Sequence, residues 1–293
     1  LMDFAPLCEL MQEPQQAESY RAEAKKINAA IELHGWDGDW YRRAYYDDGF
    51  PLGSKQNNEC RIDSIAQSWS IISKGGQEAR ARQAMDSLYQ ELVDRNNELI
   101  LLLNPPFDKT PRSPGYIKGY PPGIRENGGQ YTHAAIWAVW AFVDLRQAER
   151  AHELFNMINP ILHVETREEA NRYRVEPFVI AADVYSTPPH HGRGGWTWYT
   201  GSASWMYRLG VERLLGIRRF AHHLEIQPCV PKEWKGYQLN YRFGNSIYHI
   251  RVENLNGANE AVQEVKMDGK KLADLKIPLR DDGSVHEIVV TLK

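Results

Sequence analysis

Two polar stretches hold most of the residues able to do chemistry. In residues 119–137, GYPPGIRENGGQYTHAAIW, two prolines and four glycines crowd around Arg125, Glu126 and His133 ahead of an apolar run. Glycine and proline fix backbone paths that other residues resist. The stretch therefore predicts a shaped polar loop feeding a buried helix. His133 falls in the first turn of that helix, where the positive helix end lowers an imidazole pKa. That predicts a neutral ring still able to donate one hydrogen bond. Glu126 beside Arg125 has two readings, a salt-bridged loop residue or an acceptor for sugar hydroxyls.

The second stretch, residues 190–216, is HHGRGGWTWYTGSASWMYRLGVERLLG. Its right half reads as a helix with Ser202 or Thr200 as N-cap, apolar Trp205, Leu209, Leu214 and Leu215, and Gly216 as the stop. Thr200-Gly201 then lies where unpaired N–H groups point outward next to a hydroxyl, an arrangement that attracts phosphate. A plain helix cap is the alternative. The run DVYSTPP sets Asp183 and Tyr185 before a Pro-rich bend, which reads as a pocket rim. Two carboxylates, Glu126 and Asp183, are compatible with two reactions. An inverting hydrolase needs an acid and a base across the scissile bond. An inverting phosphorylase needs only the acid, because phosphate is the nucleophile. Spacing along the chain leaves both open.

The elements that must position these residues follow from periodicity. Residues 17–33 form an amphipathic pattern ending at Gly35, and residues 62–73 and 77–93 read as a helix pair turned at Gly75-Gly76. Residues 132–145 are apolar almost all round, so that helix must be covered on every side. Residues 149–158 follow as a more polar partner. Alternating buried and amphipathic helices suggest two concentric helical layers with functional loops at one end. From His223 onward the pattern changes to period two, broken by Gly-Asn, Asp-Gly and Asp-Asp-Gly turns, which predicts a small antiparallel β unit. We therefore expect two domains, a helical one over residues 1–222 and a structural β cap over residues 223–293.

Composition narrows the function. A formal charge of −3 gives no electrostatic case for nucleic acid or an anionic membrane surface. Nine Trp and fifteen Tyr supply flat amphipathic surfaces suited to stacking on sugars. The three cysteines, Cys8, Cys60 and Cys229, have no metal or redox spacing. No stretch reads as a leader peptide or a membrane span. The opening LMDFAPLCELMQE starts on an apolar pattern with no capping residue ahead of it, as expected of a fragment cut within a helix.

The runs WDGDWYRRAYYDDGFPLGS, RIDSIAQSW, PGYIKGYPPGIRENGGQYTHAAIW, EPFVIAADVYS and GGWTWYTGSASWMYR together resemble glycoside hydrolase family 94. The resemblance is nearest to the phosphorylase-type C-terminal domain of bacterial cyclic β-1,2-glucan synthases, and it covers most of residues 36–234. It implies an (α/α)6 barrel, here partial, followed by a small β-sandwich or sheet domain. It also implies inverting phosphorolysis of a β-glucoside to α-glucose 1-phosphate, with inorganic phosphate as co-substrate and no metal or organic cofactor. By the same resemblance His133, Thr200 and Gly201 hold phosphate, while Tyr120, Arg125 and Glu126 line the sugar subsite beyond the cleaved bond. Asp183 is kept as a substrate-binding candidate from its place on the rim. Arg125 stands where some relatives carry Lys. Ala182 stands near a sugar-contacting glutamine of cellobiose phosphorylases, which argues against cellobiose as substrate.

The family's general acid is an Asp in a Trp-Asn-Asp motif, and no such motif occurs in this sequence. The resemblance thus implies the second part of a catalytic domain, with no catalytic acid of its own and the upstream half as its partner. Isolated, it is expected to be inactive and to expose apolar faces. It also implies a parent protein of the bacterial inner membrane, this region on the cytoplasmic side, trimming linear glucan before cyclisation. The alternatives are a non-catalytic glucan-binding or scaffolding domain, and an inverting glycoside hydrolase using Glu126 with Asp183.

Overall fold

The computed structural model describes residues 1–198, 200–255, 257 and 261–293. These hold eight α-helices: α1 (Ala5–Leu10), α2 (Pro14–Ala30), α3 (Ser64–Ile72), α4 (Glu78–Glu91), α5 (Thr132–Asp144), α6 (Ala148–Ile158), α7 (Arg167–Tyr173) and α8 (Ser202–Arg208). Ten of the thirteen residues of α5 are buried, as its all-round apolar surface demands. α3, α6 and α8 pack against it. Behind them Met85, Leu88 and Leu92 join Ile136, Phe142 and Leu154 in the main core. The expected helix pair is α3 and α4. Asp63 caps α3 by accepting the Ile65 N–H at 2.9 Å, and its other oxygen pairs with Arg43.

The eight α-helices among the described residues are fewer than the twelve that six helix pairs require. α1 and α2 pack chiefly on each other, through Ala5, Cys8, Ala17 and Tyr20. They leave Phe4, Leu7, Leu10 and Met11 exposed on an apolar face. Among the described residues no helix is long and apolar enough to cross a membrane.

The chain turns from helix to sheet at Gly216, whose φ is +69°. A side chain there would sit 2.1 Å from the Gln227 carbonyl oxygen, so only glycine fits the stop. Strand Ile217–Phe220 precedes His223–Ile226 and pairs with it, so the sheet begins ahead of residue 223. With Ile277–Pro278 they make a three-stranded antiparallel sheet. The second sheet has five strands, in the order Gly236–Phe243, Ser246–Glu253, Val285–Leu292, Val262–Met267 and Lys270–Lys271. Ile217, Leu224 and Ile226 of the first sheet share one core with Tyr248, Ile250, Val252 and Val290 of the second. The unit is thus a sandwich of two sheets.

The sandwich is not wholly antiparallel, and this corrects the expectation. Ser246–Glu253 and Val285–Leu292 run parallel, from Ile247 opposite Val285 to Glu253 opposite Thr291. The chain lays down the hairpin Gly236–Phe243 and Ser246–Glu253 and then Val262–Met267, and Val285–Leu292 enters last between Ser246–Glu253 and Val262–Met267. That central place buries His286, Ile288, Val290 and Leu292 on one face. The direction of entry fixes the parallel neighbour, with the long intervening segment as the crossover that parallel pairing requires.

Candidate active site

The polar loop ahead of α5 is organised by Asn127, which is fully buried. Its Oδ1 accepts the Phe107 N–H at 2.7 Å, and its Nδ2 donates to the carbonyls of Phe107 and Tyr120, both at 2.8 Å. The tight turn from Ile124 to Asn127 puts Arg125 at φ +49°. Gly123 answers why the loop is rich in glycine. Its φ is +81°, and a Cβ there would lie 2.6 Å from Cβ of Thr187.

On this loop the guanidinium of Arg125 lies over the Tyr120 ring, 5.4 Å from its centroid, and 3.5 Å from the Glu126 carboxylate. Burial opposes the charge on Arg125, but Glu126, Asp183 and Tyr120 together push its pKa up, so it stays cationic. The two atoms of this ion pair, Arg125 Nε and Glu126 Oε2, are buried and face each other too loosely for a hydrogen bond, so each keeps a valence that a polar ligand can complete. The backbone N–H of Arg125 donates to Asp183 Oδ2 at 3.2 Å.

Asp183 does not stand on the rim; it lies beneath it, 1 % exposed. The reason is a two-residue ladder in which Gln130 and Tyr131 pair with Val184 and Asp183, drawing the aspartate under the loop. The backbone of Gly195 closes over it, so near that a Cβ would sit 2.3 Å from Asp183 Oδ1. Burial raises the pKa of Asp183, while the Arg125 N–H and charge and the Trp196 N–H pull it down, and burial wins.

The same ladder leads into α5. The Thr132 N–H donates to the Ala182 carbonyl at 2.9 Å, and His133 follows on the first turn. The imidazole stacks on Tyr131 with centroids 5.7 Å apart and tilts against Trp137 at 6.1 Å. Its pKa is lowered, as expected, but the cause is burial between these rings. Its Nδ1 is buried with no hydrogen-bond partner among the described residues. Gly201 faces the other nitrogen: a Cβ on Gly201 would lie 3.2 Å from His133 Nε2.

The expected side-chain cap on α8 is absent. Gly201 holds the N-cap position, and no side chain bonds there. The Thr200 hydroxyl instead donates to the Ile180 carbonyl at 3.2 Å and accepts from Ser202 Oγ at 2.7 Å. That bond ties the start of α8 to the segment that carries Asp183. The structure therefore brings the site candidates together around residues 180–183: His133 with Thr200 and Gly201 at one pole, Tyr120, Arg125 and Glu126 at the other, and Asp183 below. Asn127, Tyr131 and Gly195 were missed in the sequence. The NGGQY run and the glycine pair before Trp196 were the signals available for them.

Residues 1–216 match the family described as "Glycosyl hydrolase 94 superfamily, catalytic domain". The chain is 48% identical over 265 residues to the cyclic beta-(1,2)-glucan synthase NdvB of Rhizobium meliloti (strain 1021), covering 90% of this chain and 9% of that protein. It is 28% identical over 297 residues to the N,N'-diacetylchitobiose phosphorylase of Vibrio proteolyticus, covering 100% of this chain and 36% of the other. It is 29% identical over 271 residues to the solabiose phosphorylase of Paenibacillus borealis, covering 92% and 34%. The chain thus spans little more than a third, or less, of the length of these relatives. With three quarters of its length matched, the chain belongs to the glycosyl hydrolase 94 superfamily.

Proposed function

We propose that this chain carries the phosphate-binding pole and the leaving-sugar pole of an inverting phosphorolysis site for β-1,2-linked glucan. Inorganic phosphate sits between His133 and Thr200-Gly201 and attacks the anomeric carbon from the face opposite the departing oxygen. The new C–O bond to phosphate forms as the glycosidic C–O bond breaks, giving α-glucose 1-phosphate. Tyr120, Arg125 and Glu126 hold the departing sugar, the last two through the loosely paired Nε and Oε2. Asp183 acts through its hold on Arg125 and the Gly195-Trp196 backbone. The proton for the departing oxygen comes from an acid outside this chain. The observation that carries the reading is the closeness of Gly201 to His133 Nε2, on the same short scaffold that pins Arg125 to Asp183.

The phosphorylase relatives support phosphorolysis, and the NdvB identity supports the β-1,2 linkage; on this reading the reaction sets glucan length. The helices are then part of an (α/α)6 barrel completed by upstream chain, which would cover the apolar face of α1. The parent would lie in the bacterial inner membrane, with this region on the cytoplasmic side. The isolated chain is inactive on this reading, since loss of a positioned acid alone costs about 10²–10⁴ in rate. A hydrolase using Glu126 with Asp183 is disfavoured, because Asp183 is buried with the Gly195 backbone packed against its carboxylate, which bars the approach of an attacking water.

Titration of the chain with inorganic phosphate, followed by NMR of its ten histidines, tests the phosphate pole. One imidazole, assigned by its loss in His133→Gln, should shift saturably, and its pKa should rise as the phosphate dianion favours the charged ring. If no histidine responds, the reading is wrong.

A further inference from the structure

The loop joining the two poles carries side chains that the site itself does not use. Trp196 is 58 % exposed and Trp198 is 65 % exposed, and across from them Phe178 is 75 % exposed. Phe178 and Trp198 meet edge to face with centroids 6.1 Å apart. Gly195, Trp196, Thr197 and Trp198 line an open cavity of about 690 Å³. The rings are exposed, while the backbone leading up to and including Trp196 is held. Trp196 O accepts the Ala182 N–H at 2.6 Å, Gly195 N donates to Asp183 O at 2.8 Å, and Gly194 N donates to Tyr173 O at 2.9 Å. Trp198 has φ +70°, a left-handed backbone that is costly for a bulky side chain. Strained residues of this kind persist where the surrounding structure enforces them, and they cluster at ligand sites.

We infer that Trp196, Trp198 and Phe178 form a stacking shelf for a glucose unit of the glucan lying outside the bond that is broken. The inference rests on the glucan reading proposed above and extends it from a cleavage site to a chain-holding site. Continuity argues for this occupant. Trp196 is bonded to the strand of Asp183, next to Arg125, and Trp198 lies two residues before Thr200. The rings are thus carried by the same short scaffold that holds both poles of the site. Chemistry argues for it as well. The exposed apolar groups at α1 and its C-cap include Leu7, Leu10 and Met11, an aliphatic surface suited to packing against protein. This patch is wholly aromatic, with flat faces for sugar C–H groups and Thr197 at its edge for hydroxyls. A disaccharide spans only the bond to be broken and leaves the shelf empty, so the shelf adds affinity for longer glucans alone.

The test is calorimetric binding of linear β-1,2-glucooligosaccharides of two and five glucose units to this chain and to the double variant Trp196→Ala/Trp198→Gly. Both positions are exposed, and glycine suits the backbone at 198, so the fold is retained. The pentasaccharide should bind the parent chain about tenfold more tightly than the disaccharide. In the double variant that gap should close, with the phosphate response of His133 unchanged. Equal affinities in the parent chain, or a gap that survives the double variant, overturn the shelf while an intact His133 response leaves the phosphate pole standing. Loss of the His133 response in the parent chain counts against the underlying reading instead. In a protein extended upstream, acrylamide should still quench Trp196 and Trp198, and pentasaccharide should protect them. Protection without sugar means that protein covers the patch, which also overturns the shelf.

Discussion

Gly201→Ala separates phosphate binding from a purely structural role for the start of α8. Gly201 has φ −66° and ψ −16°, a right-handed helical backbone that alanine adopts without strain. Among the described residues the new methyl would meet the His133 ring alone, with Nε2 at 3.2 Å and Cε1 at 3.9 Å. Glycine to alanine at a compatible backbone stabilises by about 0.4–1 kcal/mol. The close contact takes some of this back, because the ring must give by a fraction of an ångström. Folding free energy should therefore change by less than about 1 kcal/mol. Binding should respond differently. The methyl fills the space off Nε2 where a phosphate oxygen would meet the ring, and a hydrogen bond to a charged group is worth about 1.5–3 kcal/mol. Phosphate affinity should fall about 10- to 150-fold. Calorimetric titration with inorganic phosphate, beside urea unfolding of the same sample, reads both quantities. Unchanged affinity on an intact fold would refute the assignment of the anion to this place. A stability loss above about 2 kcal/mol would show that the space is needed for packing.

Gly216→Ala should instead unfold the chain more readily. Its left-handed φ and the Gln227 carbonyl at 2.1 Å leave the methyl no room, so urea unfolding should show a loss above about 2 kcal/mol. Arg43→Met strands the fully buried Asp63, whose pKa burial already raises despite that arginine, and should cost about 3–5 kcal/mol. Adding Asp63→Asn to it should restore part of the loss in the same assay. Burial holds His133 below its ordinary pKa, so its stabilising contribution is present above about pH 6.5 and is lost as pH falls through the lower folded value. His133→Gln should flatten the stability curve in that window. Asp183 has the opposite sign: its pKa is raised, so its contribution is full below about pH 3.9 and lost as pH rises through the folded value. Relative to the parent chain, Asp183→Asn should therefore look better near pH 7 than near pH 4, in unfolding measured at both.

Local rules account for what the sequence made legible. The burial of α5 follows from an apolar surface with no polar stripe, and the stop at Gly216 from a glycine closing an apolar helix. Long-range partners account for what it did not. Thr200 reads as a cap until its hydroxyl is seen to bond the carbonyl of Ile180, twenty residues earlier. Asp183 reads as a rim residue because nothing local announces a two-residue ladder to Tyr131 or a roof at Gly195. Period-two alternation is the same for either strand direction, so the parallel pair in the sandwich left no mark in the pattern. The aromatic count pointed to sugars, but which tryptophans face outward is a tertiary matter, as with Trp196, whose carbonyl is held by the Ala182 N–H. Residue types marked out most of the site; their convergence on residues 180–183 was a tertiary fact.

The most direct test of a divided phosphorolysis site is release of α-glucose 1-phosphate from a linear β-1,2-glucooligosaccharide, measured with and without phosphate. It should be run on this chain and on a protein extended upstream through a Trp-Asn-Asp motif. Release only by the longer protein, only with phosphate, and abolished by His133→Ala is the predicted result. Turnover by this chain alone would place an acid among its own residues, and phosphate-independent release of glucose would make it a hydrolase; either contradicts the reading.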